Sequence, residues 1–150
     1  MSAMETEGGF EILEGVTCAD IAVGITGRSM ETLFLWAGRA LMSILLEDPG
    51  SLGSAERRTI SVRNAQIDLL LYSFLDELLF LKDAERLLLL PERVVVRREA
   101  GGYLCECAAA GGPIDRTRHR FGVDVKAVTM HNLEVSCEDG VWSAVVVFDV

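Results

Sequence analysis

Hydrophobic positions along this chain follow two rhythms, one of helical period and one of period two, and the order of the two outlines the fold. Ala19 to Thr26 reads as a strand closed by Gly27. Met30, Leu33, Phe34, Ala37, Leu41, Ile44 and Leu45 then recur at helical spacing, which predicts a helix to about Leu46. Ser29 is placed to cap it, and Glu31 stands in its first turn, where a carboxylate suits the helix dipole. Asp48-Pro49-Gly50 stops the helix, and Ser51 to Arg58 reads as a polar loop. Thr59 to Arg63 is a short predicted strand. Asn64 is a candidate cap for a second helix reaching about Lys82. This helix is apolar nearly all round (Ile67, Leu70, Leu71, Phe74, Leu75, Leu78, Leu79 and Leu81), the pattern of a helix buried on more than one side.

Beyond Lys82 the chain is predicted to be mostly strand. Arg86 to Glu99 forms one extended region, with Pro91 marking a break, and Tyr103 to Ala109 alternates. Gly111-Gly112-Pro113 and the polar run Asp115 to Arg120 read as a loop. Val123 to Cys137 is extended, with a bend near His131 and Asn132. Asp139-Gly140 carries a two-residue hairpin signal, and Val141 to Val150 is the last strand. Strand, helix, strand, helix and then a run of strands favour an α+β class, with a largely antiparallel sheet and two helices, over a doubly wound parallel sheet. Met1 to Gly9 is polar and reads as a flexible arm, leaving residues 10–150 as one domain.

Composition narrows the setting. Half of the 150 residues are hydrophobic, enough to bury a core without disulfides. Neither a basic leader with an apolar core nor a run of roughly 20 uncharged residues is present, so the expected location is the cytoplasm. The four cysteines, Cys18, Cys105, Cys107 and Cys137, are then expected as reduced thiols. Cys105 and Cys107 share one strand face, a geometry suited to small buried hydrophobes and poor for chelation. A formal net charge of −9 repels phosphate backbones, which argues against direct nucleic-acid binding and for cations or basic protein surfaces as partners.

No phosphate loop, dinucleotide fingerprint, metalloprotease helix or nucleophile elbow occurs. His119 and His131 are too few for a histidine-rich metal site. The unusual residues are acids. Asp20 opens a predicted strand, where it serves as a turn former or as a site residue. Asp149 continues the apolar face of Val145 and Val147, beside the main-chain carboxylate of Val150. An acid there needs a partner or cation, unless the strand end frays into water. Counting outward from an Asp139-Gly140 turn pairs Glu138 with Val141, sets Asp149 opposite Met130 and Val150 opposite Thr129, and puts Lys126 on the acid-bearing face. An ordinary surface lysine fits the same position.

Several segments in order along the chain resemble the archease family. Thr17-Cys18-Ala19-Asp20-Ile21 is similar to its opening motif, normally His-Thr-Ala-Asp-Ile. Gly27 to Ala37 is similar to its glycine, acidic cap and Leu-Phe helix, and Leu75-Asp76-Glu77-Leu78-Leu79 to its Leu-Asn-Glu-Leu-Leu stretch. Val125-Lys126-Ala127-Val128-Thr129 with His131 resembles Val-Lys-Ala-Val-Thr-Tyr-His, and Val147-Phe148-Asp149-Val150 resembles the terminal Phe-Asp-Ile. Thr17 and Met130 depart from the family's histidine and tyrosine.

The resemblance implies a non-enzymatic accessory protein that stimulates guanylylation and turnover of a GTP-dependent RNA ligase of the RtcB type, in tRNA splicing or RNA repair. It implies a divalent cation, commonly calcium, held by Asp20, Asp149 and the carboxylate of Val150. These hard oxygen donors suit Ca²⁺, Mg²⁺ or Mn²⁺ better than zinc. Lys126 is the functional candidate beside them, and no residue is assigned as catalytic. A small metal-dependent hydrolase, or a chaperone-like module for nucleic-acid enzymes, would use the same acids.

Overall fold

A computed structural model describes residues 5, 7–13 and 20–150. Thr17, Cys18 and Ala19 of the opening motif lie outside the described residues, as do residues 1–4 and 6 of the expected arm. Among the described residues the strands are β1 (Gly8–Leu13), β2 (Asp20–Gly27), β3 (Glu56–Asn64), β4 (Leu87–Glu99), β5 (Gly102–Pro113), β6 (Ala127–Val128), β7 (Val135–Glu138) and β8 (Val141–Asp149). The long helices are α1 (Met30–Leu45) and α2 (Ile67–Glu85). Every strand pairing is antiparallel, as the α+β reading requires.

The strands form two sheets. One runs β1-β2-β8-β6, with β7 also on β8, and the other runs β3-β5-β4. Strand β1 is absent from the sequence reading, and it takes in Gly8 and Gly9, the last residues of the expected arm. Its polar, glycine-rich opening carries no alternation. It is extended because the edge of β2 offers it a full ladder, from Gly8 opposite Gly27 to Leu13 opposite Ala22.

The helices lie between the sheets. Helix α1 packs on β2 of one sheet and β4 of the other, while α2 packs on β3, β4 and β5 and reaches β6. Two covering sheets bury more of α1 than its stripe predicts: Leu35, Gly38, Ala40 and Met42 are buried along with the stripe. The reverse holds for α2, whose Phe80 is 57% exposed although the sequence reads as apolar all round. Phe34 and Phe74 meet where the helices cross, with ring centroids 5.9 Å apart. Ser29 caps α1 as expected, its Oγ accepting from the Thr32 amide at 3.1 Å.

The register corrects other expectations. Asn64 does not cap α2. It is the last residue of β3, held in the ladder opposite Tyr103, and Gln66 occupies the cap position. Gly111-Gly112-Pro113 is not loop but the end of β5, opposite Leu89, Leu88 and Leu87. A Cβ on Gly111 would collide with the Leu88 carbonyl, so glycine here permits close strand approach instead of breaking the strand. Pro91 marks a bulge in β4 at Pro91/Arg93, consistent with its missing amide, and its ring leaves room only for glycine at Gly38 of α1. Cys105 and Cys107 are free, fully buried thiols, as their shared face suggests. Burial pushes Cys107 up to about 12 and Cys105 higher still, so both stay protonated and inert.

Candidate functional site

The end of the five-stranded sheet where β2 begins and β8 finishes gathers the residues singled out in the sequence. Strand β2 pairs with β8 so that Ile21, Val23 and Ile25 face Phe148, Val146 and Ala144, an inner apolar layer against the helices. Residues of the other parity lie on the opposite face: Ala22 opposite Val147, Gly24 opposite Val145, and Asp20 opposite Asp149. The two acids are therefore direct cross-strand neighbours. Directly opposed residues of an antiparallel pair sit roughly 4.5–5.5 Å apart at Cα or Cβ. Both are half-buried. Val150 follows at once, its side chain packed on the core, which holds the chain end at this rim.

The third strand here is β6, and its register differs from the hairpin count. The Asp139-Gly140 turn is as expected, with both residues at positive φ (53° and 77°) and Glu138 opposite Val141. The β7–β8 ladder runs only to Val135 opposite Ala144. Residues 130–134 then leave the sheet through a turn, in which the Leu133 amide donates to the Met130 carbonyl and Asn132 takes a φ of 52°, while the Thr129 amide still donates to the Val147 carbonyl of β8 at 2.9 Å. The chain rejoins β8 with Ala127 opposite Asp149 and Val128 opposite Phe148, so Asp149 does not face Met130 and Val150 does not face Thr129. A shift of three residues also inverts the parity on which Lys126 was placed. Lys126 still comes to Asp149, but through its backbone: its amide donates to the Asp149 carbonyl at 2.8 Å, and its side chain is exposed.

Among the described residues no three His, Cys, Asp or Glu side chains gather closely enough to hold a metal on side chains alone. Two opposed side-chain carboxylates thus meet at this rim, with Val150 one residue on. All of these donors are hard oxygens, which fit a cation such as Ca²⁺ or Mg²⁺. Like charges directly opposite each other destabilise a strand pair, and a cation between them reverses that sign. The histidines stay apart from these donors in role and burial. His119 is buried edge-on to Phe121, and His131 is exposed beside Asn132.

A family model described as the Archease protein family (MTH1598/TM1083) matches residues 10–150. The chain belongs to the archease family. A protein archease of Thermococcus gammatolerans is 33% identical over 133 residues, covering 88% of this chain and 93% of that protein. One of Methanothermobacter thermautotrophicus is 32% identical over 142 residues, 95% of this chain and 99% of that protein. The solution structure of Methanobacterium thermoautotrophicum protein 1598 superposes with a TM-score of 0.82 at 31% identity, over 95% of this chain and 99% of that one. A Thermotoga maritima crystal structure, described as an archease and possible chaperone, shares the fold with a TM-score of 0.63 at 19% identity, over 93% and 98% of the two chains.

Within this archease fold, sequence reasoning missed Lys82 and Asp124. Lys82 is buried near the end of α2, where its ammonium donates to Asp124 Oδ1 at 2.9 Å and to the Val125 carbonyl at 2.8 Å, and pairs with Asp83 Oδ1 at 3.0 Å. Burial pulls the lysine's pKa down, but its hydrogen bonds to Asp124 and Asp83 outweigh this and hold it above the usual lysine value. A signal was available: Leu71, Leu75, Leu78 and Lys82 follow one another by four, three and four residues, so the lysine continues a buried stripe.

Proposed function

We propose that this archease is an accessory protein that binds one divalent cation through Asp20, Asp149 and the carboxylate of Val150, and that it stimulates guanylylation and turnover of a GTP-dependent RNA ligase of the RtcB type. The single observation that carries the metal reading is the direct pairing of Asp20 with Asp149 across β2 and β8. Opposed carboxylates repel each other across a strand pair, and a cation between them would offset that repulsion. The cation, calcium before magnesium or manganese, would supply a fixed positive charge at that end of the sheet. Lys126 would add a mobile one beside it, able to meet a phosphate or a partner acid. The ligase partner follows from the family resemblance in the Lys126 segment and the Phe148-Asp149-Val150 end. A net charge of −9 fits docking on the basic rim of an RNA-handling enzyme, an encounter that salt would slow. The accessory role agrees with the description of the Thermotoga relative as a possible chaperone.

Calorimetry with calcium and with manganese, run beside a guanylylation assay at limiting archease, tests the reading. Asp20→Ala, Asp149→Ala and a chain extended past Val150 should each bind cation weakly and stimulate the ligase poorly. Lys126→Ala should keep cation affinity and fold, since an exposed lysine contributes within about 0.5 kcal/mol, yet lose stimulation. Unchanged affinity in all three site variants would remove the metal centre from this end of the sheet. Tight binding of bare tRNA at moderate salt would count against the accessory role.

A further inference from the structure

Residues 122–126 carry Lys126 toward Asp149 without belonging to any strand or helix. Something other than a sheet ladder must therefore hold them. Gly122 and Val123 are tied to the end of α1, their amides donating to the Leu45 and Ile44 carbonyls at 2.9 Å each. Asp124 and Val125 are tied to α2, and the tie is one ammonium group. Lys82 bonds the Asp124 carboxylate at 2.9 Å and the Val125 carbonyl at 2.8 Å, and forms an ion pair with Asp83 at 3.0 Å. Both hydrogen bonds of the lysine thus go to the residues immediately before Lys126. The Lys126 amide then bonds the Asp149 carbonyl at 2.8 Å. Val125 is fully buried between these two anchors. No other cation touches the Asp124 carboxylate among the described ion pairs.

We propose that Lys82 is a positioning residue that clamps residues 124–125 to helix α2 and so fixes Lys126 against the Asp149 end of β8. This assignment rests on the reading of Lys126 and the carboxylate pair as one site. A salt bridge kept for stability alone would sit poorly here. The lysine side chain is only 8% exposed, whereas its acid partners are 80% and 61% exposed and would be solvated without it. Desolvating the ammonium costs free energy, and what it gains is a defined path for the segment it holds.

The test uses the full chain with Lys82→Met, which keeps the length and apolar stem of the side chain. Asp124 and Asp83 stay in water in that variant, so the fold should persist, as circular dichroism would verify. Amide hydrogen exchange at Lys126 should speed up by about tenfold or more, the scale of a lost charged hydrogen bond expressed as local opening. Asp124→Ala should act in the same direction with a smaller effect. Asp83→Ala removes only the contact within α2 and should leave Lys126 protected, which separates clamping of the segment from general support of the helix. Ligase stimulation should fall in Lys82→Met and hold in Asp83→Ala. Lys126 exchange unchanged by Lys82→Met, or raised equally by Asp83→Ala, would overturn the clamp. Wild-type protein that neither binds calcium nor stimulates the ligase would instead overturn the functional reading, while the exchange result still decides whether Lys82 holds the segment.

Discussion

The two sheets of this archease treat charge in opposite ways. In the three-stranded sheet, arginines of one strand meet glutamates of another: Arg57 with Glu92, Arg63 with Glu99, and Arg97 with Glu106. The first two pairs reach from one edge strand to the other across β5, and the Arg57 pair crosses where β5 is reduced to Ala108, Ala109 and Ala110. Its strands run to 9, 13 and 12 residues, with one bulge. The five-stranded sheet sets Asp20 against Asp149 instead, and its last strands are fragments, two residues in β6 and four in β7. The comparison teaches where structure and chemistry are divided. The first sheet pairs opposite charges between its strands and packs against the helices. The second sets two acids opposite each other at a rim where the chain departs from regular pairing.

The largest test of this division is whether the two sheets are one folding unit. Phe74→Ala, at the crossing of the helices, should cost about 3–5 kcal/mol. In a Trp36→Phe background, Trp142 fluorescence reports the five-stranded sheet and far-UV circular dichroism the whole molecule, and their urea midpoints should fall together. Two separate transitions would mean that each sheet has its own core. Next in size is Gly111→Ala, which pushes a methyl group at the Leu88 carbonyl and should cost about 1–3 kcal/mol by thermal melt. It should leave calcium affinity unchanged, because it disturbs only the scaffold.

Asp149→Asn sharpens the contrast by its sign. Without cation it should be more stable than wild type by up to about 1 kcal/mol, since it relieves opposed like charges. With saturating calcium the order should reverse, because wild type gains binding free energy and the variant does not. A variant less stable than wild type in chelator would show that the two acids do not repel. Arg63→Ala in the other sheet should leave the melting temperature nearly unchanged, as exposed pairs do, with no effect on cation binding. The last effect is confined to alkali. Lys82 has a raised pKa in the folded state, so its ties contribute fully below the unfolded lysine value of about 10.4 and are lost as pH rises through the higher folded value. Melts taken from pH 9 upward should show a loss in wild type that Lys82→Met lacks.

Local pattern carried much of this fold. The spacing in α1, the serine that caps it, the Asp139-Gly140 turn with its positive φ angles, and the shared face of Cys105 and Cys107 are all properties of neighbouring residues, and each is legible without a tertiary model. The family motifs likewise named Asp20, Lys126, Asp149 and Val150 in advance. What local pattern could not carry was anything depending on how far the chain wanders between two pairings. The hairpin register was sound for the four pairs of β7 and failed three residues off at β6, because the excursion through residues 130–134 leaves no periodic trace. Strand β1 lacks alternation and exists because β2 had an open edge. Gly111 reads as a loop breaker until the β4 backbone is seen lying against it. Lys82 reads as the polar end of a helix until Asp124 and the Val125 carbonyl close on it from 42 and 43 residues away. The sequence alone thus determined both helices, most of the strands and the chemical types at the rim. Only the tertiary structure decided which residues stand opposite one another, because register and long-range ion pairing arise from contacts between segments that carry no memory of each other along the chain.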